Sequence, residues 1–348
     1  AMDETKNKSK SAEGLEKEYI RLQKELFKIE EGELHLESEP NYEYDEWYDN
    51  DDEEVFFRDP QGVGDAIEDA CQYIHSCVDC EEFTYGYEIA RRLIGLEVCA
   101  EGDEWGDYDA SLSIEDLKYH DLIDIDYKKV VIDGLYLAYQ ANDQTNRSEA
   151  LYRMIENSHR SDITLEMVMQ NGEELTDITE FLPVWTSYLG RISTAYAQNL
   201  LKEALELTGD PEILLSNARQ FYEQHPALYE QYLDSVWGTE DSKKLFSVGN
   251  EALEKISVKY VVRSRIAKKL SLLALEEQKK DTAERYWLEA FRSETTVTNY
   301  MSLLVESSDV NVFSEQVRRI CHSMYKKIGI SISMHAQSGE LKMNHPNS

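Results

Sequence analysis

The chain has 348 residues, of which 41% are hydrophobic, and this is enough for about two domains with buried cores. It carries 69 Asp and Glu against 36 Lys and Arg, so its net charge is −33. We expect such a chain to repel nucleic acids and anionic membranes, because both are bound chiefly through Lys and Arg. A partner held by charge would be a basic protein, although ordinary solubility also accounts for an acidic composition.

The hydropathy and the Cys, Pro and Gly contents narrow the class of protein further. No apolar run approaches the roughly 20 residues that span a bilayer, and no signal-peptide pattern is present. The 5 cysteines have no secretory context, so we expect reduced thiols in the cytoplasm. Only 6 Pro and 16 Gly occur, which favours helices joined by short connections over a sandwich or barrel. The leading Ala-Met is typical of a cloning remnant, so we predict that 1–11 are disordered and that the natural N-terminus lies upstream.

Residues 12–32 are predicted to form an amphipathic helix. Its apolar residues recur at alternating four- and three-residue steps, the spacing of a short coiled-coil seam, at Leu15, Tyr19, Leu22, Leu26 and Ile29. We expect the seam to dock on the body of its own chain, because so short a helix gains most of its stability from tertiary packing. Pairing with a second copy is the alternative.

Residues 33–60 are predicted to form an acidic aromatic arm in which Arg58 is the only cation. Purely solvating acidic tails are usually poor in aromatic residues, so this arm is predicted to bind a target. The predicted contacts are the aromatic anchors Tyr44, Trp47 and Tyr48 and the steering carboxylates Asp49, Asp51 and Asp52. The acidic run lacks the Gly and the ligand spacing of an EF-hand, so no calcium site is predicted.

Three uses of the arm stay open. The favoured interpretation is that it wraps its own helical body, with its rings against the basic residues at 263–269. A second is that it captures a basic protein or mimics nucleic acid. A third is that it is a plain disordered linker.

Residues 61–190 are predicted to form a helical domain. Its first helix has one apolar face, made by Ile67, Ala70, Cys71, Ile74, Cys77 and Val78. His75, Cys77 and Cys80 lie close together in sequence, but a Cys-x2-Cys pair needs further ligands at suitable spacing and none follows, so no zinc site is predicted. A partner helix is predicted over 85–99, ending at Cys99.

The acidic run at 101–116 is predicted to connect two helices, with a capping box formed by Ser113 and Asp116. Leu112 stands where an EF-hand requires Gly. Further helices are predicted at 127–141, 147–157, 165–170 and 174–190, with a kink or boundary at Pro183.

Residues 191–328 are predicted to form a helical repeat region, followed by a tail at 329–348. Helices are predicted at 191–207 and 211–222, and a helical pair follows. The first helix of that pair buries Val262, Ile266, Leu270 and Leu273, and the second, with Asp281 as N-cap, buries Ala283, Tyr286, Trp287, Ala290 and Phe291. Thr296 is predicted to cap a third helix carrying Val297, Tyr300, Met301 and Leu304.

This pair resembles a tetratricopeptide repeat unit. Ala283, Trp287 and Ala290 follow the Ala-x3-Phe-x2-Ala spacing of the second helix in that repeat, and Leu270-Ser271 matches its Leu-Gly step. Ala274 stands where the pattern has Tyr, so the match is partial. The predicted fold class is all-α: an irregular helical-pair, tetratricopeptide-like α-solenoid with an N-terminal helix and an acidic arm. A compact all-helical domain is the alternative.

A second resemblance involves the blocks YWLEAFRS at 286–293 and YMSLL at 300–304 and the acidic loop at 103–116. These are similar to the helical region that follows the zinc finger in bacterial SWIM zinc finger proteins, and the likeness would cover 66–327. It implies that the chain is a regulatory part of such a protein. The family's Cys-x-Cys and Cys-x-His motif is absent, since Cys321 is followed directly by His322, so no zinc ligand carries over.

No motif for catalysis is present. The sequence has no phosphate-binding Gly loop, no Gly-x-Ser-x-Gly and no His-Glu-x2-His, and His159, His225 and His322 are predicted to lie at the surface. We therefore predict no enzyme, no cofactor and no metal. The sequence favours a cytoplasmic, non-catalytic scaffold that binds a protein partner of basic character. The alternatives are a nucleic-acid mimic that inhibits a DNA-binding protein and the regulatory part of a SWIM zinc finger protein.

Overall fold

In the computed structural model the described residues are 2–40, 55–102, 109–175, 177–306, 315, 317–320 and 322. The chain divides into two compact units, unit 1 at Ala1–Thr208 and unit 2 at Gly209–Ser348. Helices make up most of both units, as predicted. No helix among the described residues is both long and apolar enough to cross a membrane.

Unit 1 combines helices with four short strands. The helices are α1 (Met2–Glu30), α2 (Val63–Asp79), α3 (Phe83–Leu93), α4 (Ile114–Tyr119), α5 (Tyr127–Ala141), α6 (Gln144–Asn157), α7 (Leu165–Met169), α8 (Ile178–Leu189) and α9 (Ala195–Thr208). The strands are β1 (Leu36–Pro40), β2 (Val55–Arg58), β3 (Glu97–Glu101) and β4 (Ala110–Ser113).

The described part of unit 2 is helical. Its elements are α10 (Pro211–Phe221), α11 (Leu228–Ser235), α12 (Ser242–Lys255), α13 (Val261–Glu276), α14 (Lys280–Ser293) and α15 (Val297–Glu306).

Helix α1 docks on its own unit, as predicted. It packs against α2, α3 and β3, and its seam residues Leu22, Leu26 and Ile29 are fully buried. The hydroxyl of Tyr73 on α2 donates to the backbone carbonyl of Leu15 at 3.0 Å. The apolar spacing of α1 is therefore satisfied within the chain.

The all-α prediction is wrong in one respect, because unit 1 contains a four-stranded sheet in the order β2-β1-β3-β4. β1 pairs antiparallel with β2, β3 pairs antiparallel with β4, and the central β1 and β3 are parallel. The strands are only four or five residues long, too short for a clear alternation, and the central β1 and β3 carry two Glu each in an acidic stretch of the sequence.

The predicted helix at 85–99 is too long, because α3 ends at Leu93. Gly95 adopts a φ of 89°, the left-handed conformation that commonly follows a helix end. Beyond it Val98 is buried whereas Glu97 and Cys99 are exposed, which is the alternation of a half-buried strand. Cys99 therefore lies on β3 and not on a helix.

Helices α2, α3 and α5 pack against one another in unit 1. Cys71 and Cys77 are buried on α2, as predicted, and burial raises the pKa of each thiol to about 12. Gly86 allows the close approach of α3, since a Cβ at this position would lie 2.6 Å from the Cβ of Cys77 and 2.8 Å from Cδ1 of Leu137.

Long-range hydrogen bonds in the second half of unit 1 recur at similar sequence separations. Tyr139 on α5 donates to Asp177, the N-cap of α8, at 2.8 Å, a separation of 38 residues. The backbone N–H of Leu165 on α7 donates to Glu203 on α9 at 3.0 Å, again 38 residues away. The predicted helix 127–141 is confirmed, and Pro183 lies inside α8, where a kink or boundary was predicted.

Unit 2 shows the same kind of pattern at 32–36 residues. Arg219 on α10 donates to Glu251 on α12 at a separation of 32, and Tyr286 on α14 donates to Asn250 on α12 at 36. The odd-numbered helices are connected in the same way: Arg265 on α13 donates to Glu230 on α11 at a separation of 35. Alternate helices of unit 2 therefore lie beside each other.

The predicted pair at the centre of unit 2 is confirmed as α13 and α14. All nine residues predicted to face inward are buried, with Trp287 only 9% exposed. The predicted N-cap at Asp281 is wrong: α14 is preceded by Lys279, because Gln278 at a φ of 60° turns the chain directly from one helix into the next.

Helix α15 departs from the prediction. Thr296 caps it as expected, accepting from the N–H of Asn299 at 3.2 Å. Its predicted apolar residues are nevertheless exposed, 78% at Val297 and 49% at Met301. The buried residue is instead the polar Asn299, whose side chain donates to the carbonyl of Glu294 at 2.6 Å. The side chain of Leu304 lies outside the described residues.

His225 corrects another prediction. It was expected at the surface, but it is 2% exposed in the turn between α10 and α11. Its backbone N–H donates to the carbonyl of Phe221 at 2.8 Å, which closes the turn after α10. His159 and His322 are exposed, as predicted.

Candidate protein-interaction surface

The sheet of unit 1 fixes both ends of the predicted acidic arm. β1 and β2 pair antiparallel up to Pro40 opposite Val55, so the segment 41–54 leaves and re-enters the sheet at neighbouring strand ends. The six predicted contact residues, Tyr44, Trp47, Tyr48, Asp49, Asp51 and Asp52, lie in this segment, outside the described residues. The arm predicted at 33–60 thus includes two strands of the sheet.

A second acidic segment, 103–108, joins β3 to β4. This corrects the prediction that the acidic run at 101–116 connects two helices. The N–H of Gly102 donates to the carboxylate of Asp109 at 2.8 Å and holds the two ends of the segment together. The predicted capping box follows: Ser113 accepts from the N–H of Asp116, and the Ser113 hydroxyl holds the pKa of Asp116 below its usual value.

Both acidic segments start from the same end of the sheet. β1 and β3 run parallel, with Leu36 opposite Ala100 and Glu37 opposite Glu101. Each segment follows the carboxyl end of one of these strands, and parallel strands present those ends at one edge. Both segments also contain the triplet Asp-Glu-Trp, at 45–47 and at 103–105.

The outward side chains of β1 and β3 are mostly carboxylates. Every second residue is buried, as at Ser38 and Val98, so the residues between them face outward. We call the four outward carboxylates the acidic sheet face: Glu37, Glu39, Glu97 and Glu101. Sequence analysis missed these four residues, although the alternation of Glu with buried residues in both strands is a signal that would have found them.

The charges on the acidic sheet face are only partly balanced. Glu37 and Glu101 lie opposite each other in register, and like charges in that position destabilise a sheet. Arg58 forms an ion pair with Glu39 at 2.9 Å, but the two side chains are 66% and 47% exposed, so the pair contributes little. His35 approaches Glu101 at 3.3 Å. A cationic partner would relieve the remaining repulsion.

The acidic surplus of the whole chain is concentrated in unit 1. Residues 1–208 contain 50 Asp and Glu and 18 Lys and Arg, whereas residues 209–348 contain 19 and 18. A basic partner attracted by charge is therefore attracted to unit 1.

The basic residues at 263–269, where the arm was predicted to dock, are already paired within unit 2. The ion pairs are Arg263 with Glu289, Arg265 with Glu230, Lys268 with Glu294 and Lys269 with Asp234. The charge that was expected to attract the arm is thus neutralised locally. Docking of the arm on these residues stays a prediction, but unpaired basic charge no longer supports it.

A buried polar cluster surrounds Asp133 on α5, which is 1% exposed. Its carboxylate receives hydrogen bonds from Lys129 at 2.6 Å and Asn171 at 2.9 Å and lies 3.2 Å from Nδ1 of His75. Among the described residues, the side chains that approach His75 are the carboxylates of Asp133 and Asp79. The cluster ties α2 and the turn after α7 to α5. No group of three or more metal-ligating side chains was found among the described residues.

No protein-family model matches the chain, and no curated protein matches it. The resemblances to SWIM zinc finger proteins and to tetratricopeptide repeats therefore stay predictions.

Proposed function

We propose that the chain is a non-catalytic interaction scaffold that binds a basic protein through the acidic sheet face and the two acidic segments at its edge. The observation that carries the proposal is the parallel pairing of β1 and β3, because it places the start of both segments at one end of one sheet. The concentration of acidic residues in unit 1 supports it.

The proposed surface would bind its partner both by electrostatic attraction and by aromatic contacts. Carboxylates steer a cationic partner and set its orientation, whereas aromatic side chains supply most of the contact energy in many interfaces. In this proposal Tyr44, Trp47 and Tyr48 are the anchors, and Asp49, Asp51 and Asp52 extend the negative surface beyond the sheet.

The proposed scaffold is an irregular helical-pair solenoid. Its support is the recurrence of long-range hydrogen bonds at similar sequence separations, 38 residues in unit 1 and 32–36 in unit 2, where they join alternate helices. Repeat architectures produce this pattern, because each repeat contacts chiefly its neighbours.

The experiment that tests the function uses a fluorescein-labelled lysine-rich peptide as the probe. Its binding to the full chain is followed by fluorescence anisotropy at low and at physiological ionic strength. A sheet-face variant replaces the four carboxylates with Gln: E37Q, E39Q, E97Q and E101Q. A control variant makes the same change in charge at four exposed residues elsewhere in unit 1: E166Q, E174Q, E180Q and E206Q.

We expect the wild-type chain to bind the peptide, with affinity falling as salt increases. The sheet-face variant should lose at least tenfold in affinity, since a close charge pair across an interface is worth roughly 1.5 kcal/mol or more. The control variant should lose less than threefold. Equal losses in both variants would show that only net charge attracts the peptide, and the proposed surface would be wrong.

The alternative of nucleic-acid mimicry lacks specific support. It requires two ordered rows of charges on a rigid face, and the described parts of β1 and β3 offer two outward carboxylates each. That function, and a regulatory role in a SWIM zinc finger protein, stay predictions.

A further inference from the structure

A cleft of about 390 Å³ lies between α6 and α8 in unit 1. Three hydroxyl residues, Thr145, Ser148 and Ser187, line it together with Tyr188 and Arg191, and Pro183 and Val184 form its apolar part. A volume of this size falls at the lower end of the range for small-molecule sites, roughly 300–1,000 Å³.

The lining of this cleft differs from its surroundings in charge. No carboxylate contributes to it, although unit 1 contains 50 Asp and Glu. Arg191 is its single cation, and its exposed guanidinium forms neither an ion pair nor a hydrogen bond with another described residue. An unpaired Arg in so acidic a unit is available for an anion.

Ser148 supplies the second observation. It is 3% exposed, and its hydroxyl has no hydrogen-bond partner among the described residues. Buried polar groups in proteins are nearly always hydrogen-bonded, so an unpartnered buried hydroxyl at a cleft wall needs an explanation. A ligand oxygen in the cleft would accept from it.

The remaining groups are suited to the same ligand. Thr145 and Ser148 lie near the start of α6, where aligned peptide dipoles favour negative charge. The backbone N–H groups of Thr145 and Asn146 already donate to Asp143, so the side-chain hydroxyls must make the contact. Burial, with the nearby Glu149 carboxylate, raises the pKa of Tyr188. A tyrosine hydroxyl is in any case protonated at neutral pH and can donate to an anion. Glu149 is itself paired with Arg153.

We propose that this cleft binds the oxyanion group of a small organic molecule, a carboxylate or a phosphate monoester. The guanidinium of Arg191 and the hydroxyls of Ser148 and Ser187 donate to the oxyanion, and the apolar part of the ligand lies against Pro183 and Val184. This site is separate from the acidic sheet face, which would reject an anion.

Titration of the full chain with benzoate and with phenyl phosphate, followed by ligand-observed NMR, tests the proposal. Phenol serves as the neutral analogue. We expect saturable binding of at least one of the two anions and none of phenol; the stronger of the two identifies the oxyanion class. Absence of saturable binding by both anions, or equal binding of phenol, would overturn the proposal.

Variants then locate the site. Arg191→Gln and Ser148→Ala should each weaken anion binding about tenfold or more, as expected for a lost hydrogen bond to a charged group. Arg285→Gln is the control, because this exposed Arg in unit 2 makes only a 3.4 Å hydrogen bond to Thr282 and should leave the affinity unchanged. Equal affinity of the Arg191→Gln and wild-type chains would overturn the assignment.

Ser148→Ala also separates binding from a structural role. Since the hydroxyl has no described partner, its removal should leave Tm unchanged or raise it while affinity falls. A lower Tm with unchanged affinity would show that Ser148 is structural and contradict the proposal.

Discussion

Unit 1 and unit 2 use charge in different ways. In unit 2 the numbers of acidic and basic residues are nearly equal, and carboxylates pair with cations on neighbouring helices, as in Arg219–Glu251 and Arg265–Glu230. In unit 1 acidic residues are in large excess, and on the sheet Glu37 and Glu101 lie opposite each other.

The net charge of −33 is therefore not spread evenly over the molecule. Charges in unit 2 connect helices and are satisfied within the fold. On the acidic sheet face Glu37 and Glu101 repel each other, and the pairing of Glu39 with Arg58 is exposed, so much of the negative charge stays available to a partner. Solubility alone does not require like charges to be placed opposite each other.

The largest expected effect comes from breaking a buried charge in unit 2. Arg263 is 7% exposed and donates to Glu289, Ser293 and the carbonyl of Leu253. Arg263→Met should lower the free energy of unfolding by about 3 kcal/mol, because it leaves partly buried acceptors unpaired. Urea denaturation measures the change. Arg285→Met, at an exposed position, should change it by less than about 0.5 kcal/mol, and a similar change in both variants would refute the structural role of the pairing.

A smaller effect depends on pH. The Arg219 guanidinium, helped by Lys255 and Tyr229, holds the pKa of Glu251 at about 2, below its ordinary value of 4.5, although burial opposes the shift. Because the folded state favours the ionised carboxylate, the stabilisation is complete above pH 4.5 and is lost as the pH falls towards 2.

Glu251→Gln should therefore reduce the free energy of unfolding at pH 7 by about 1 kcal/mol, and the difference from wild type should shrink below pH 4. Urea midpoints measured between pH 3 and pH 7 test this. The matched variant Glu254→Gln, exposed on the same helix, should show a difference below about 0.5 kcal/mol at pH 7. A Glu251→Gln difference independent of pH would argue against the ion pair.

The smallest expected change in the free energy of unfolding is an increase for a variant in unit 1 and a decrease for a variant in unit 2. Glu101→Gln should raise the free energy of unfolding by about 0.5 kcal/mol at low salt, because it removes the repulsion from Glu37 and keeps an acceptor near His35. Glu230→Gln should lower it by up to about 1 kcal/mol, because Arg265 loses its partner. Added salt should reduce both changes. Two changes of the same sign would remove the distinction drawn between the units.

Much of the helical structure could be predicted from the sequence. The predicted apolar residues of α13 and α14 are all buried, because in each helix they recur at the three- and four-residue spacing that places them on one face. Spacing failed for α15, where Val297 is exposed and Asn299 is buried, because the Asn299 side chain donates to the carbonyl and the carboxylate of Glu294 just before the helix.

Only one part of the candidate surface could be predicted from the sequence. The acidic aromatic residues at 41–54 were visible in the sequence, but their relation to 103–108 depends on the parallel register of β1 and β3, which lie about 60 residues apart in the sequence. The same holds for Asp133, whose partners His75 and Asn171 are 58 and 38 residues away. Periodicity describes one element at a time and contains no information on such pairings.

Hydrogen–deuterium exchange of the full chain, with and without the lysine-rich peptide, shows directly which segments the peptide covers. We expect bound peptide to slow exchange in the segments spanning β1–β2 and β3–β4 and to leave residues 209–306 unchanged. Protection confined to unit 2, or spread evenly over the chain, would contradict it.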